Sequence, residues 1–89
     1  MSNIVSMVEN YMELEEKLVE LDLSIEKEKI IQEAIDYVND NLKGDGSGTF
    51  GIRKHDLEKD DVTYDFLFTL FRVEEKDDSY LYYDYCMEL

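Results

Sequence analysis

The stretch VTYDFLFTLFRV, residues 62–73, decides the fold of this chain of 89 residues. Its β-branched and aromatic side chains make it the strongest strand prediction in the sequence. A second aromatic stretch, YLYYDYCM at residues 80–87, follows after residues 74–79, which we predict to form a turn. A shorter strand is predicted for residues 49–55, with residues 56–61 as a charged turn. The C-terminal half therefore reads as a three-stranded antiparallel meander.

The N-terminal half, residues 1–43, has helical periodicity. Its apolar residues alternate spacings of three and four, which is a heptad pattern: Ile4, Met7, Tyr11, Leu14, Leu18, Leu21 and Ile25. A break is predicted at residues 21–24, because Asp22 and Ser24 are both good N-cap residues for a following helix. The second helix carries one apolar stripe, formed by Ile30, Ile31, Ala34, Ile35, Val38 and Leu42. We therefore predict two antiparallel helices; the alternative is one long helix through residue 43 that dimerises.

A glycine-rich connector, GDGSG at residues 44–48, lies between the two halves and is predicted to be flexible. Gly44 fits a left-handed residue after the second helix, and Lys43 suits the negative end of that helix. The predicted fold class is α+β, with two N-terminal helices forming a hairpin that packs on a three-stranded antiparallel β-meander. The whole chain, residues 1–89, is predicted to be a single domain whose sheet occupies residues 49–89.

Alternation along the strands assigns the two faces of the predicted sheet. One face is expected to form the core, with Val62, Tyr64, Phe66, Phe68 and Leu70 from the central strand and Leu81, Tyr83, Tyr85, Met87 and Leu89 from the last. The opposite face carries Thr63, Asp65, Leu67, Thr69, Phe71, Val73, Tyr80, Tyr82, Asp84 and Cys86. This second face is too apolar for a solvated surface and too acidic for a second core, a mixture typical of an interface.

Charge limits what the protein can bind. Lys and Arg number 9 against 23 Asp and Glu, so the net charge is −14. This excess excludes binding of nucleic acid or of an anionic membrane by charge, because both need a basic surface. Aromatic residues make up 12% of the chain, whereas a disordered acidic tail would have few. Since we find no apolar stretch of about 18 residues, no basic leader and only one cysteine, Cys86, we expect a cytoplasmic protein.

Three patterns come close to functional motifs but lack their context. GSGTFG at residues 46–51 fits the glycine-loop pattern of phosphate sites, yet it is predicted to follow a helix and open a strand, the reverse of a dinucleotide fingerprint. His55, next to Asp56, has no nucleophile near it in the predicted layout. Residues 40–45 depart from the calcium-loop pattern at the third position and carry a lysine inside the loop. We expect no enzyme activity, and no catalytic, cofactor-binding or metal-binding residues.

Glutamates recur along the first predicted helix at spacings of four, three and four: Glu9, Glu13, Glu16 and Glu20. They form a ridge of carboxylates on the side away from Leu14 and Leu18. A solvated helix face usually mixes both charges, whereas Lys17 is the one cation near this ridge. A weaker ridge follows on the second helix, with Glu26, Glu33, Asp36 and Asp40 interrupted by Lys29.

An acidic excess of this size is most easily understood if the partner is strongly basic. Aromatic residues of the outer sheet face would then anchor the contact. The predicted partner-binding residues are Glu9, Glu13, Glu16, Glu20, Asp65, Phe71, Tyr80, Tyr82 and Asp84. The expected function is that of a small inhibitory protein that mimics nucleic acid. It would occupy the basic nucleic-acid-binding surface of a nuclease, CRISPR effector, restriction enzyme or DNA-binding protein.

In size, acidity and lack of a catalytic constellation, the chain is similar to phage- or plasmid-encoded inhibitors that imitate nucleic acid. This likeness is one of class, without a shared motif, so it transfers no functional residues. Two alternatives stay open. The chain could be a homodimeric structural module joined through the heptad pattern or the half-apolar sheet face. It could also be an immunity protein or antitoxin that neutralises a basic toxin.

Overall fold

The computed structural model describes residues 4–53 and 64–89. Two helices come first, α1 (Tyr11–Glu20) and α2 (Lys27–Asn41), followed by three strands, β1 (Ser47–Ile52), β2 (Phe66–Glu74) and β3 (Ser79–Glu88). The strands form one antiparallel sheet in the order β1-β2-β3, which is a meander with β2 in the centre. The prediction of an α+β fold, with a helix pair packed on a three-stranded meander, is confirmed.

The core lies between the helix pair and one face of the sheet. Along β2 the burial alternates, so that Phe66, Phe68 and Leu70 are buried as predicted. Leu14 and Leu18 of α1 are also fully buried in this core. The apolar seam of the first helix is therefore used inside the chain, and it is not available to join two copies as the dimer alternative requires.

Residues 4–10 are not helical, which corrects the prediction for the start of the chain. Val8 instead forms a parallel bridge with Leu81 of β3. The Leu81 amide donates to the Met7 carbonyl at 3.0 Å, and the Glu9 amide donates to the Leu81 carbonyl at 2.8 Å. The unpaired edge of β3 needs such partners, and this need outweighs the local helical pattern. Val5 and Val8 consequently enter the core, whereas Ile4 and Met7 are exposed.

Two asparagine side chains complete the docking of this segment. The Asn10 side-chain amide donates to the Tyr83 carbonyl at 2.6 Å, and its oxygen accepts from the Tyr83 amide at 2.9 Å. Asn39 of α2 makes the same two bonds with the backbone of Val5, both at 2.9 Å. An asparagine amide can replace a peptide group in this way because it offers one acceptor and two donors. The N-terminal segment is thus joined to both the sheet and α2.

The break between the helices falls where it was predicted, and the single long helix is wrong. Asp22 has a φ of +63°, and the Leu23 amide donates to the Leu18 carbonyl at 2.8 Å, which is typical of a helix C-terminus. The capping prediction is wrong, because Glu26 occupies the N-cap position of α2 and makes no side-chain capping bond. Ile25, which was assigned to the apolar seam, is 92% exposed.

The pairing of β2 with β3 contains one irregularity, which corrects the predicted faces of the last strand. Thr69 lies opposite Tyr85, but Leu70 lies opposite Tyr83, so that Asp84 is an extra residue in β3. A bulge of this kind reverses the alternation beyond it. Leu81 and Tyr83 are buried as predicted and Cys86 is buried against prediction. Three residues that were predicted to join the core are exposed: Tyr85, Met87 and Leu89.

The connector before β1 is held by specific hydrogen bonds. Gly44 has a φ of +58°, which is the left-handed conformation predicted for it, although α2 already ends at Asn41. The buried Arg72 side chain donates to the Gly44 carbonyl at 2.9 Å, and the Glu74 amide donates to Asp45 Oδ1 at 2.8 Å. β1 begins two residues before the predicted strand start, at Ser47. The predicted turn at residues 56–61, and also His55, Val62 and Thr63, lie outside the described residues.

Replacing Asn10 with alanine removes both bonds to the Tyr83 backbone and leaves two partly buried polar groups unpaired. We expect Asn10→Ala to lower the free energy of unfolding by about 1–3 kcal/mol. Asn41→Ala is the matched control, because the Asn41 side chain only donates to a carbonyl of its own helix at an exposed position. Urea unfolding followed by circular dichroism measures both variants. Equal stability of the two variants would contradict the role assigned to Asn10.

The burial of Leu14 changes what a charge at this position should do. If Leu14 belonged to a heptad dimer seam, Leu14→Asp would give a folded monomer. The structure instead places the Leu14 side chain in the core, at 2% exposure. We expect Leu14→Asp to unfold the chain, because an isolated carboxylate is strongly disfavoured there. Met12→Asp, at a position of α1 that is 72% exposed, should stay folded. The circular dichroism spectra and thermal transitions of the two variants distinguish the two arrangements.

Candidate functional site

The outer face of the sheet, away from the helices, is rich in apolar and aromatic side chains. Phe71 lies opposite Tyr82, and their ring centroids are 6.4 Å apart. Neighbouring rows pair Val73 with Tyr80, Thr69 with Tyr85 and Leu67 with Met87. These side chains are half-buried on β2, and on β3 they range from half-buried to exposed. Cross-strand pairs of this kind hold one another in place, so the face is an ordered surface.

The bulge at Asp84 adds residues to this face that alternation had assigned to the core. Tyr85 and Met87 lie beyond the bulge and face outward, at 54% and 45% exposure. Tyr64 was also predicted to lie in the core, but its ring packs against Gly51 and it is 37% exposed. A period-two pattern cannot reveal these residues, because a single extra residue reverses the faces without changing the composition of the strand.

Glu9 is displaced from the predicted ridge but lies beside β3. It belongs to the N-terminal segment that pairs with Leu81, and its side chain is exposed. The Tyr80 hydroxyl donates to Glu75 at 3.2 Å, and this hydrogen bond is the main reason why the pKa of Tyr80 is raised. The carboxylates of Glu75, Asp78 and Glu9 add to this effect on the pKa. Glu9 is therefore near the first tyrosine of β3.

The other three glutamates of the predicted ridge are on α1, and all three are exposed. Glu13 accepts a hydrogen bond from the Asn10 side chain at 3.4 Å, and Glu20 forms an ion pair with Lys17 at 3.2 Å. Burial is the main cause of the raised pKa of Tyr83, and the negative charges of Glu20 and Glu13 raise it further. These two glutamates thus lie close enough to act on the middle of β3.

We define the β3 border as the carboxylates that line β3 together with its outward tyrosines. Its members are Glu9, Glu13, Glu20, Asp84, Glu88, Tyr80, Tyr82 and Tyr85. Lys17 lies beside it, since it pairs with Glu20 and opposes the rise in the pKa of both Tyr83 and Cys86. The α1 acids therefore act on the helix side of β3, at Tyr83 and Cys86, whereas its outward tyrosines are on the other face, where Glu9 acts on Tyr80.

Three predicted partner-binding residues lie outside the β3 border. Phe71 is on the outer face next to Tyr82, and Glu16 is exposed on α1. Asp65 is half-buried just before β2, where its amide donates to the Ile52 carbonyl at 2.9 Å and its carbonyl accepts from the Leu89 amide at 3.0 Å. The sequence prediction missed Tyr85, Met87, Tyr64 and Glu88 as members of, or neighbours to, this surface.

The described residues show few features of catalytic or metal chemistry. Within residues 4–53 and 64–89, no three His, Cys, Asp or Glu side chains form a group that could hold a metal ion. The glycine pattern at residues 46–51 opens β1, so its amides are not at a helix N-terminus. Neither α1 nor α2 combines the length and apolar character that crossing a bilayer requires, and these are the only helices in the described part of the chain.

Comparison of this chain with known protein families, with curated proteins and with solved structures found no significant match.

Burial raises the pKa of the Cys86 thiol, which gives a test of its position. Lys17 opposes this effect, and Glu88 and Glu20 add to it. Above the ordinary thiol value of 9.0, the unfolded chain loses this proton while the folded chain keeps it, so stability should fall as the pH rises. We expect Cys86→Ala to flatten this fall above about pH 9 in urea unfolding. The same pH dependence in both proteins would contradict a raised thiol pKa.

Proposed function

We propose that this protein is a small acidic inhibitor that occupies the basic nucleic-acid-binding surface of another protein in place of nucleic acid. The target class is a nuclease, a CRISPR effector, a restriction enzyme or a DNA-binding protein, which implies an anti-restriction or anti-CRISPR role of the kind found in phages. The observation that carries this proposal is the β3 border. In it, one strand has carboxylates beside both faces: Glu9 acts on the outward Tyr80, and Glu13 and Glu20 act on the helix side at Tyr83.

The net charge supports a basic partner over an uncharged one. At −14 the folded chain repels itself, and solubility alone requires far less, a net magnitude of about 2–8 for a small domain. A cationic groove relieves this repulsion and attracts the chain from a distance. Because the groove of a nucleic-acid-binding protein is built to hold dense negative charge, it is the best match for this surface.

Spacing supports the comparison with nucleic acid. Three exposed glutamates, Glu13, Glu16 and Glu20, follow one another along α1. With a rise of 1.5 Å per residue, they are spaced about 4.5–6 Å apart along the helix axis. Phosphates step about 3.4 Å along each strand of B-DNA, so the two charge densities are of the same order. A rigid helix held by Leu14 and Leu18 can present such charges without having to order them on binding.

Aromatic residues supply the part of the contact that charge does not. Tyr80 and Tyr82 are half-buried and Tyr85 is exposed, and their rings lie on an ordered sheet. Tyrosine contributes a large contact area at a low cost in side-chain entropy, and it often dominates the energy of an interface. Arginine side chains of a basic partner can also stack on tyrosine rings. The same surface fits neutralisation of a basic nuclease toxin, which is the closest alternative function.

Reversing the helix acids tests the surface. We expect the variant with Glu13→Lys, Glu16→Lys and Glu20→Lys to bind its partner about a hundredfold or more weakly at low salt, because three attractive charges become repulsive. The matched control carries Glu33→Lys, Asp36→Lys and Asp40→Lys on α2, which change the net charge by the same amount. Calorimetric titration of the partner measures both affinities. An equal loss in both variants would mean that only net charge matters and that the β3 border is not the contact.

Competition with nucleic acid tests the mode of action. The wild-type chain and the lysine variant of Glu13, Glu16 and Glu20 are immobilised separately and exposed to a host extract. Proteins that bind the wild type but not the variant are taken forward to the competition. We expect duplex DNA or RNA to displace the held protein, and we expect binding to weaken steeply as salt rises. A ternary complex of chain, captured protein and nucleic acid would overturn mimicry, and inhibition of a toxin that binds no nucleic acid would support neutralisation instead.

A further inference from the structure

The two edges of the sheet are treated differently. The edge of β3 is covered by residues 7–10, which bond to Leu81 and Tyr83. β1 forms the opposite edge, and it pairs with β2 alone among the described elements. The Arg72 amide donates to the Gly46 carbonyl at 2.8 Å, which identifies these two residues as a hydrogen-bonded pair. Because such pairs alternate in an antiparallel ladder, the amides and carbonyls of Ser47, Thr49 and Gly51 point away from β2.

The sequence of this edge lacks the usual protection against strand pairing. Natural edge strands are commonly blocked by charge, by proline or by a bulge. Residues 46–52 contain neither a charged residue nor a proline, in a chain of which 36% is charged. The pairing of β1 with β2 is also continuous, without a shift of register. β1 therefore presents a six-residue edge that no element of the described chain covers.

We infer that β1 pairs with β1 of a second copy of this chain, antiparallel and with a two-fold axis at Thr49. In this register, Thr49 lies opposite Thr49 of the second copy, and Ser47 lies opposite Gly51 in both directions. All of the outward amides and carbonyls then have partners. The pairing joins two meanders into one continuous sheet.

The charges that flank the strand select this occupant and this register. Asp45 precedes the uncharged stretch and Arg53 follows it, at equal distances from Thr49. A two-fold axis at Thr49 therefore brings Asp45 next to Arg53 of the second copy at both ends of the paired strands. Both side chains are exposed. Asp45 uses one carboxylate oxygen to accept the Glu74 amide, and its other oxygen can accept from the guanidinium. Arg53 already interacts within its own chain, and its five N–H donors allow it to bind a second acceptor as well.

Space on the helix side of the strand also fits a second copy. Phe50 would lie opposite Gly48 of the second copy in the same register. Tyr37 occupies the space beside Gly48, since a Cβ atom at Gly48 would lie 2.4 Å from the Tyr37 hydroxyl. Tyr37, Leu42 and Phe50 are only partly buried within one chain, and Tyr37 and Phe50 are in ring contact at 5.7 Å. A second copy would cover this half-open edge of the core.

Proline at position 49 tests the pairing directly. Thr49→Pro removes an outward amide that donates to no residue within 4–53 and 64–89, and edge strands tolerate proline at such positions. Thr49→Val is the matched control, because it keeps the amide and the size of the side chain. In sedimentation equilibrium extending to millimolar concentration, we expect wild type and Thr49→Val to form dimers and Thr49→Pro to stay monomeric. Monomeric wild type throughout this range, or a dimer that Thr49→Pro leaves intact, would overturn the proposal.

A charge exchange tests the register and remains informative if Thr49→Pro does not fold. We expect Arg53→Asp, and separately Asp45→Arg, to raise the dimer dissociation constant about tenfold or more. The double variant with both changes should restore dimerisation, since it exchanges the two ends of each ion pair. Lys29→Asp, which changes the charge as Arg53→Asp does but lies on α2, should have little effect. Failure of the double variant to recover dimerisation would exclude this register.

Amide exchange distinguishes this interface from any other. With rising concentration, exchange of the outward amides of Ser47, Thr49 and Gly51 should slow, while that of the Tyr85 amide should not change. The dimer does not depend on the proposed inhibitory function. The lysine variant of Glu13, Glu16 and Glu20 leaves the β1 edge intact, so it should still dimerise. Concentration-dependent protection confined to β3 or α1 would place the contact elsewhere and overturn the proposal.

Discussion

The arrangement of this protein depends on the pairing of residues 7–10 with the edge of β3. Two backbone bonds with Leu81 and two side-chain bonds from Asn10 to Tyr83 close that edge. The cost of leaving strand amides and carbonyls unpaired in a partly buried place explains why the chain gives up a turn or more of helix to make these bonds. Because the segment ends at Asn10, α1 starts immediately afterwards and contacts β3. The acids of α1 are near the strand for this reason.

The pairing of residues 7–10 with β3 also explains which parts of the fold the sequence predicts and which it does not. The alternation of Phe66, Phe68 and Leu70 reflects burial on one face of a central strand, and no other element competes for those positions. The burial of Leu14 and Leu18 and the break after α1 follow from equally local patterns. Ile4 and Met7 continue the heptad spacing, yet they are exposed, because the partner that decides their conformation is Leu81, more than seventy positions away. Periodicity contains no information about a distant strand edge.

The sequence predicted the residue types of the candidate site better than their arrangement. Glu13, Glu16 and Glu20 are exposed, and Tyr80 and Tyr82 are half-buried on the outer face. Glu13 and Glu20 act on Tyr83, on the helix side of the same strand, a relation that could not be read from the sequence. Glu9 lies near this surface although the reasoning that placed it on a helix was wrong. Tyr85 and Met87 were missed because of the bulge at Asp84, which adds one residue to β3 without any change in its aromatic character. The shape of the surface therefore depends on one extra residue.

The two edges of the sheet differ in their charge and in how far the chain itself covers them. At the β3 edge, residues 7–10 pair with the strand and exposed carboxylates lie beside it. Negative charge of this kind disfavours a second copy and suits the cationic partner that we propose. At the β1 edge, no other part of residues 4–53 and 64–89 pairs with the strand, residues 46–52 are uncharged, and the flanking charges are opposite in sign, which suits the second copy that we infer better than a uniformly basic surface. The two proposed contacts are on opposite edges of the sheet, so they would not compete for space. A dimer joined through β1 would carry two β3 borders at the far ends of one sheet, and it could bind two sites of a symmetric target with a combined strength that neither site would give alone.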